Sequence, residues 1–117
     1  MSDMESLDKK VVDELYGLMG EDYLSVYEAF ERSSNNSMQE LEIAIEQKDA
    51  IKIETNSHTL KGSSANIGAN KFSALCKIIM DAARNNENID YALHYNNARQ
   101  EYASVINAIK SLRQSNH

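Results

Sequence analysis

No proline occurs in this chain of 117 residues and only four glycines do, so little in its backbone chemistry interrupts long helices. Val, Ile and the aromatics never alternate with polar residues over a run long enough to suggest a strand. Apolar residues recur instead at spacings of three and four, in five segments. The first helix is expected from about Leu7 to Met19, ending at Gly20. The second is expected from about Asp22 to Gln47, with Leu24, Tyr27, Phe30, Met38, Leu41 and Ile45 on its apolar face and a polar patch, Ser33 to Ser37, interrupting it. Asp49 caps the third, which reaches Ala65 or Asn66 before Gly68 breaks the chain. The fourth carries Phe72, Leu75, Ile79 and Ala82, and Asn85 to Asn88 form a polar turn that caps it. The last carries Leu93, Ala98, Tyr102, Val105, Ile109 and Leu112.

Four amphipathic helices joined by short polar turns predict an all-α fold, an antiparallel up-and-down four-helix bundle with a short additional N-terminal helix. The expected division is a capping helix over 1–19, the bundle over 20–113 and a frayed end over 114–117. Tyr23, Tyr27, Tyr91, Tyr95 and Tyr102 fall at helical spacings and read as the edge of the core.

The third helix repays an angular reading at about 100° per residue. Ile53, Ser57, Leu60, Ser64 and Ile67 form a seam that faces the bundle, and His58 lies roughly 140° from its centre, pointing outward. Lys61 falls about 60° to one side of His58 and Gly62 about 40° to the other, each close to one turn along. Ala65 is nearly in line, two turns on. A glycine inside a helix costs about 0.5–1 kcal/mol relative to alanine, so Gly62 calls for a reason. Close approach of another molecule to the imidazole is one.

Charge and composition exclude several classes. Twelve basic against eighteen acidic residues give a net charge of −6 with no basic cluster, a poor match to nucleic acid or an anionic membrane surface. The N-terminal stretch lacks a signal peptide's apolar centre, and no segment approaches the roughly 20 apolar residues of a membrane span, so a cytoplasmic protein is expected. Cys76 is the only cysteine and reads as a small packed residue. His58, Cys76, His94 and His117 show no metal-ligand spacing, so no metal site is expected, and His94 reads as a surface or boundary residue. Neither a GxxxxGK(S/T) loop nor a glycine-rich nucleotide segment is present, which argues against direct use of ATP.

The segment His58-Thr59-Leu60-Lys61-Gly62-Ser63-Ser64-Ala65-Asn66-Ile67-Gly68-Ala69 resembles the signature of histidine-containing phosphotransfer (HPt) domains. Leu75-Cys76 through Ala82-Ala83-Arg84 also has that family's pattern, and the layout covers about Asp22 to Leu112. Such domains take a phosphoryl group from an aspartate of one receiver domain and pass it to an aspartate of another. The resemblance implies that His58 is the phosphorylated residue, that Lys61 lies beside the phosphoryl group, that Gly62 lets the receiver dock, and that Arg84 is a basic residue near the site. It implies a monomeric phosphocarrier without cofactor or kinase activity of its own, with Mg²⁺ held by the partner. The partners would be the receiver domains of a hybrid histidine kinase and of a response regulator. A non-transferring helical adaptor that binds a receiver or kinase is the alternative. Met80 departs from the family, which often has Glu or Gln there, so a polar contact from that position to the histidine is expected to be absent.

The chemistry suits an imidazole. Its ordinary pKa of about 6.5 leaves it mostly neutral near pH 7, with a free lone pair and no need of a general base. Phosphoryl transfer runs through a loose, in-line transition state, where positioning and charge stabilisation do most of the catalysis.

Overall fold

The computed structural model describes residues 6–115. Its elements are α1 (Lys9–Met19), a 3₁₀ turn (Gly20–Asp22), α2 (Tyr23–Glu46), α3 (Ala50–Asn66), α4 (Asn70–Arg84) and α5 (Tyr91–Ser115), and no strand occurs among the described residues. Helix α2 packs on α3, α3 on α4, α4 on α5, and α5 returns to α2, so these four enclose one core. No helix of the described residues is long and apolar enough to cross a membrane.

The helix starts follow their capping chemistry. Asp8, Asp49 and Asp90 each accept a backbone N–H of the following turn, from Lys10 at 2.9 Å, Lys52 at 3.2 Å and Leu93 at 3.0 Å. The Asp8 cap sets the start of α1 at Lys9, two residues after the expected Leu7. Leu7 instead lies just outside the helix and is fully buried, with Val12 buried in the same core, the pattern of a hydrophobic staple.

The ends of α2, α3 and α4 share one solution, the Schellman motif. In each, the third residue past the helix donates to the carbonyl five back: Asp49 to Ala44 at 3.0 Å, Ala69 to Ser64 at 2.9 Å and Glu87 to Ala82 at 2.8 Å. The residues between take positive φ, with Lys48 at 55°, Gly68 at 82° and Asn86 at 54°. Only position 68 demands glycine for space. A Cβ there would stand 2.9 Å from the Val11 Cβ and 3.2 Å from the Asp8 backbone nitrogen. Asp8 binds this same turn, donating its N–H to the Gly68 carbonyl at 2.8 Å and accepting from the Asn70 amide at 3.3 Å. The α3–α4 turn is therefore where the N-terminal segment docks.

Side chains complete the core in two ways. On α3 the whole expected seam is buried, Ile53, Ser57, Leu60, Ser64 and Ile67. Burying each large aliphatic side chain contributes about 1.5–3 kcal/mol. The Ser57 and Ser64 hydroxyls donate back to Ile53 and Leu60 carbonyls, both at 2.6 Å, so these small buried groups need no partner across the interface. Between α2 and its neighbours, tyrosine hydroxyls make the ties. Tyr27 donates to the Ile67 carbonyl at 3.1 Å, Tyr95 to the Met38 carbonyl at 3.1 Å, and Tyr102 pairs with Ser34 at 2.8 Å.

Several expectations need correction. The polar patch does not interrupt α2: Ser34 is buried and carries the seam through it by its bond to Tyr102. Tyr27 is fully buried, inside the core and not at its edge. Leu93 is about half exposed at 52%, because Tyr91 and Tyr95 take the inward positions at the start of α5. Gln114 is helical, since α5 continues to Ser115. The remainder of the expected frayed end, residues 116–117, and residues 1–5 of the expected capping segment lie outside the described residues.

Candidate functional site

His58 sits in the middle of α3, one residue past Ser57 of the buried seam, and is exposed as the angular reading expects. Its ring is not free. Nδ1 lies 3.4 Å from the sulfur of Met80, a buried residue of α4 that is only 3% exposed. Met80 is therefore not a gap in the surroundings of the histidine: a thioether stands where a carboxylate or amide was expected to be missing, and it touches the imidazole.

A ring of contacts surrounds this pair. Glu54, one turn before His58, accepts the Arg84 Nε–H at 2.8 Å, and an Arg84 terminal N–H lies 3.7 Å from the Met80 sulfur. Glu54 and His58 on α3, with Met80 and Arg84 on α4, thus form a clasp built from one-turn spacings on both helices. Arg84 and Glu54 are 51% and 36% exposed in their side chains, so the ion pair contributes little to stability and serves chiefly to place the guanidinium.

Lys61 is half-buried, and its charge reaches α4. Asp81 is held below the usual carboxylate range first by its hydrogen bond with Lys77, at 2.7 Å, and further by the charges of Lys77, Arg84 and Lys61. The Lys61 carbonyl accepts from the Ser73 hydroxyl at 2.8 Å, which fixes this turn of α3 to α4. Gly62 is exposed, and a Cβ built on it would meet nothing within 4 Å. Ala65 is exposed further along the same stripe, and Ile51, two turns before His58, is 78% exposed.

The structure thus gathers His58, Arg84 and the unexpected pair Met80 and Glu54 into one contact group, with Lys61 and Gly62 on the adjoining turn. Other candidates stand apart. Burial pushes the Cys76 thiol up to about 12, so it is a packed and unreactive group. His94 is half-buried, and His117 lies outside the described residues. Among the described residues no group of three or more His, Cys, Asp or Glu could hold a metal ion. A surface depression of about 510 Å³ lies among Lys48, Asn86, Ile89 and Tyr91 and includes no residue of the histidine group. The histidine is presented on a helix face, not sunk in a cleft.

Comparison with known families finds a match to the Hpt domain over residues 25–114, which contains the whole histidine group. The chain belongs to the Hpt domain family. Among solved structures, this Hpt domain is similar to histidine-containing phosphotransfer protein B (HptB) from Pseudomonas aeruginosa PAO1, with a TM-score of 0.90 and 27% identity. That similarity covers 96% of this chain and 97% of the other. No curated protein sequence matches it. Family and structural likeness agree on the all-helical architecture and on phosphotransfer in phosphorelays as the class of function.

Sequence reasoning missed the Met80 contact and the Glu54–Arg84 bridge in this Hpt domain. A signal for both was present: Glu54 lies four residues before His58, and Met80 four before Arg84, the spacing that stacks side chains on one helix face. Which face of α4 meets which face of α3 was the missing information.

Proposed function

We propose that this Hpt domain is a phosphorelay intermediate whose carrier is His58. The imidazole accepts a phosphoryl group from an aspartyl phosphate of a hybrid kinase's receiver domain and passes it to the aspartate of a response regulator. In the forward step an imidazole nitrogen forms a bond to phosphorus while the bond from phosphorus to the aspartyl oxygen breaks. The electron pair leaves with the carboxylate, and the second step reverses these roles. Lys61 supplies positive charge beside the transferring group, and Arg84, held by Glu54, adds a second cation near the site. The chain needs no nucleotide site for this and acts as a carrier, not a kinase. It works as a cytoplasmic monomer, with Mg²⁺ held by the receiver.

Gly62 carries the reading. Nothing in the fold fills the space a side chain there would take, and the residue weakens its own helix by about 0.5–1 kcal/mol relative to alanine. A docking surface that must come close to His58 gives it a purpose.

The test is transfer from a phosphorylated receiver, read as acid-labile, alkali-stable label on the domain. Wild type is expected to take up label and His58→Gln none. A wild type that accepts no label from any receiver of its source organism overturns the proposal and leaves the adaptor role. Gly62→Tyr is expected to block transfer while helical content stays unchanged.

A further inference from the structure

The apolar face of α1 is longer than the part of the bundle that covers it. At about 100° per residue, Val11, Val12, Leu15, Tyr16, Leu18 and Met19 fall in one arc of about 160°, with Asp13, Glu14 and Gly17 opposite. The core uses the first half of that arc: Val12 is buried, and Val11 and Leu15 are half-buried. Cover then runs out. Tyr16 and Met19 are 48% and 40% exposed, and Leu18, at 84%, is the most exposed large apolar side chain among the described residues. The other exposed ones, Ile43, Ile51, Ile78 and Leu93, stand singly along the chain, which is ordinary for a surface. Tyr16 meets the Tyr23 ring edge-on, with centroids 5.3 Å apart, so the patch is built across the corner between α1 and α2.

Charge says what fits this corner. No Lys or Arg occurs between Lys10 and Arg32, while that stretch holds Asp13, Glu14, Glu21, Asp22, Glu28 and Glu31. Lys9 answers Asp13 at 2.8 Å and Arg113 answers Glu31 at 3.1 Å. Glu14, one turn before Leu18, and Glu21 and Asp22, in the turn that follows α1, have no ion-pair partner among the described residues. The last turn of α1 holds no basic residue either, so the partial negative charge of its C-terminus adds to theirs.

We infer that this corner is a docking surface for a basic segment of another protein, an amphipathic helix whose Lys or Arg side chains flank an apolar stripe. A second copy of this chain fits poorly, since a two-fold contact sets the unpaired acids of one copy against those of the other. An anionic membrane is repelled by the same acids. Helix α1 packs chiefly on α2 and the 3₁₀ turn, and no residue of the patch belongs to the contact group of His58. A partner held here leaves the histidine face open.

The test is titration of the nitrogen-15-labelled full chain with a helical peptide of leucine and lysine at physiological salt, followed by amide shifts. The changes are expected to centre on residues 14–22, to be as large in His58→Gln as in wild type, and to weaken as salt is raised. Leu18→Ser removes the exposed anchor without touching the core and is expected to lower affinity about tenfold, the loss that one buried leucine implies. Glu14→Lys combined with Glu21→Lys is expected to lower it at least as far, and a peptide of leucine and glutamate is expected not to bind. Absence of binding overturns the inference, as do shift changes centred on another face or wild-type affinity in Leu18→Ser. Shifts at residues 16–19 that change when the chain alone is diluted assign the patch to a second copy and overturn it as well.

Discussion

The motif that spans His58 to Ala69 divides into two halves that obey different constraints. Its second half is held by the fold at Ser64, Ile67, Gly68 and Ala69. Ser64 and Ile67 are buried, Ala69 is fully buried as the N-cap of α4, and the Ile67 carbonyl receives the Tyr27 hydroxyl from α2. Gly68 takes a positive φ against Asp8 and Val11. The first half keeps only Leu60 wholly inside, while His58 and Gly62 face outward and a Cβ at Gly62 would touch nothing. Two glycines six residues apart thus have different reasons to exist. One serves the fold, and the other is explained by a partner.

The sharpest way to break this contrast is to put the same methyl group on both glycines. Gly68→Ala should destabilise the domain by about 2–4 kcal/mol, combining left-handed strain with overpacking against α1. Denaturant unfolding measures it, and a loss below half of the lower figure would mean that the N-terminal segment moves aside freely.

Tyr27 tests the second half from the other side of its hydrogen bond. Tyr27→Phe should cost about 1–2 kcal/mol at neutral pH, by leaving the Ile67 carbonyl without its partner. Alkali provides a check. Burial pushes the Tyr27 phenol up to about 12, with the charge of Tyr23 adding to it, against an ordinary value of 10.0. The unfolded chain therefore loses this proton first. The contribution is complete below pH 10 and falls as pH rises towards 12, by about 2–3 kcal/mol for a shift of this size. In Tyr27→Phe the decline over that window should be shallower, read from unfolding midpoints across the alkaline range.

The smallest effect has the opposite sign. Gly62→Ala should stabilise the domain by about 0.5–1 kcal/mol, because the helix gains and no contact is lost. A destabilised variant would show that the first half of the motif is constrained by the fold after all.

Much of this was legible in the residues alone. The absence of proline and the apolar spacings predicted the helices, and Asp49 marked the start of α3 that its bond from Lys52 bears out. The outward direction of His58 followed from α3 by itself, because 3.6 residues per turn place it opposite Ile53, Leu60 and Ser64 whatever surrounds the helix. Elements whose geometry depends on one segment were readable in this way. Leu93 and Ser34 were not, since their burial depends on how α5 rotates against α2 and on a tyrosine hydroxyl 68 residues away.

The site shows the same limit. From its sequence the chain declared an exposed histidine, a lysine on the next turn and a glycine with no local purpose, because all three belong to one helix. The sulfur of Met80 against Nδ1, and the guanidinium of Arg84 on Glu54, exist only where α4 is laid against α3. Their sequence separations of 22 and 30 residues carry no information about distance until packing of the two seams sets the rotation of one helix on the other. Local periodicity determined where the histidine points. Tertiary packing alone decided what its inner nitrogen touches.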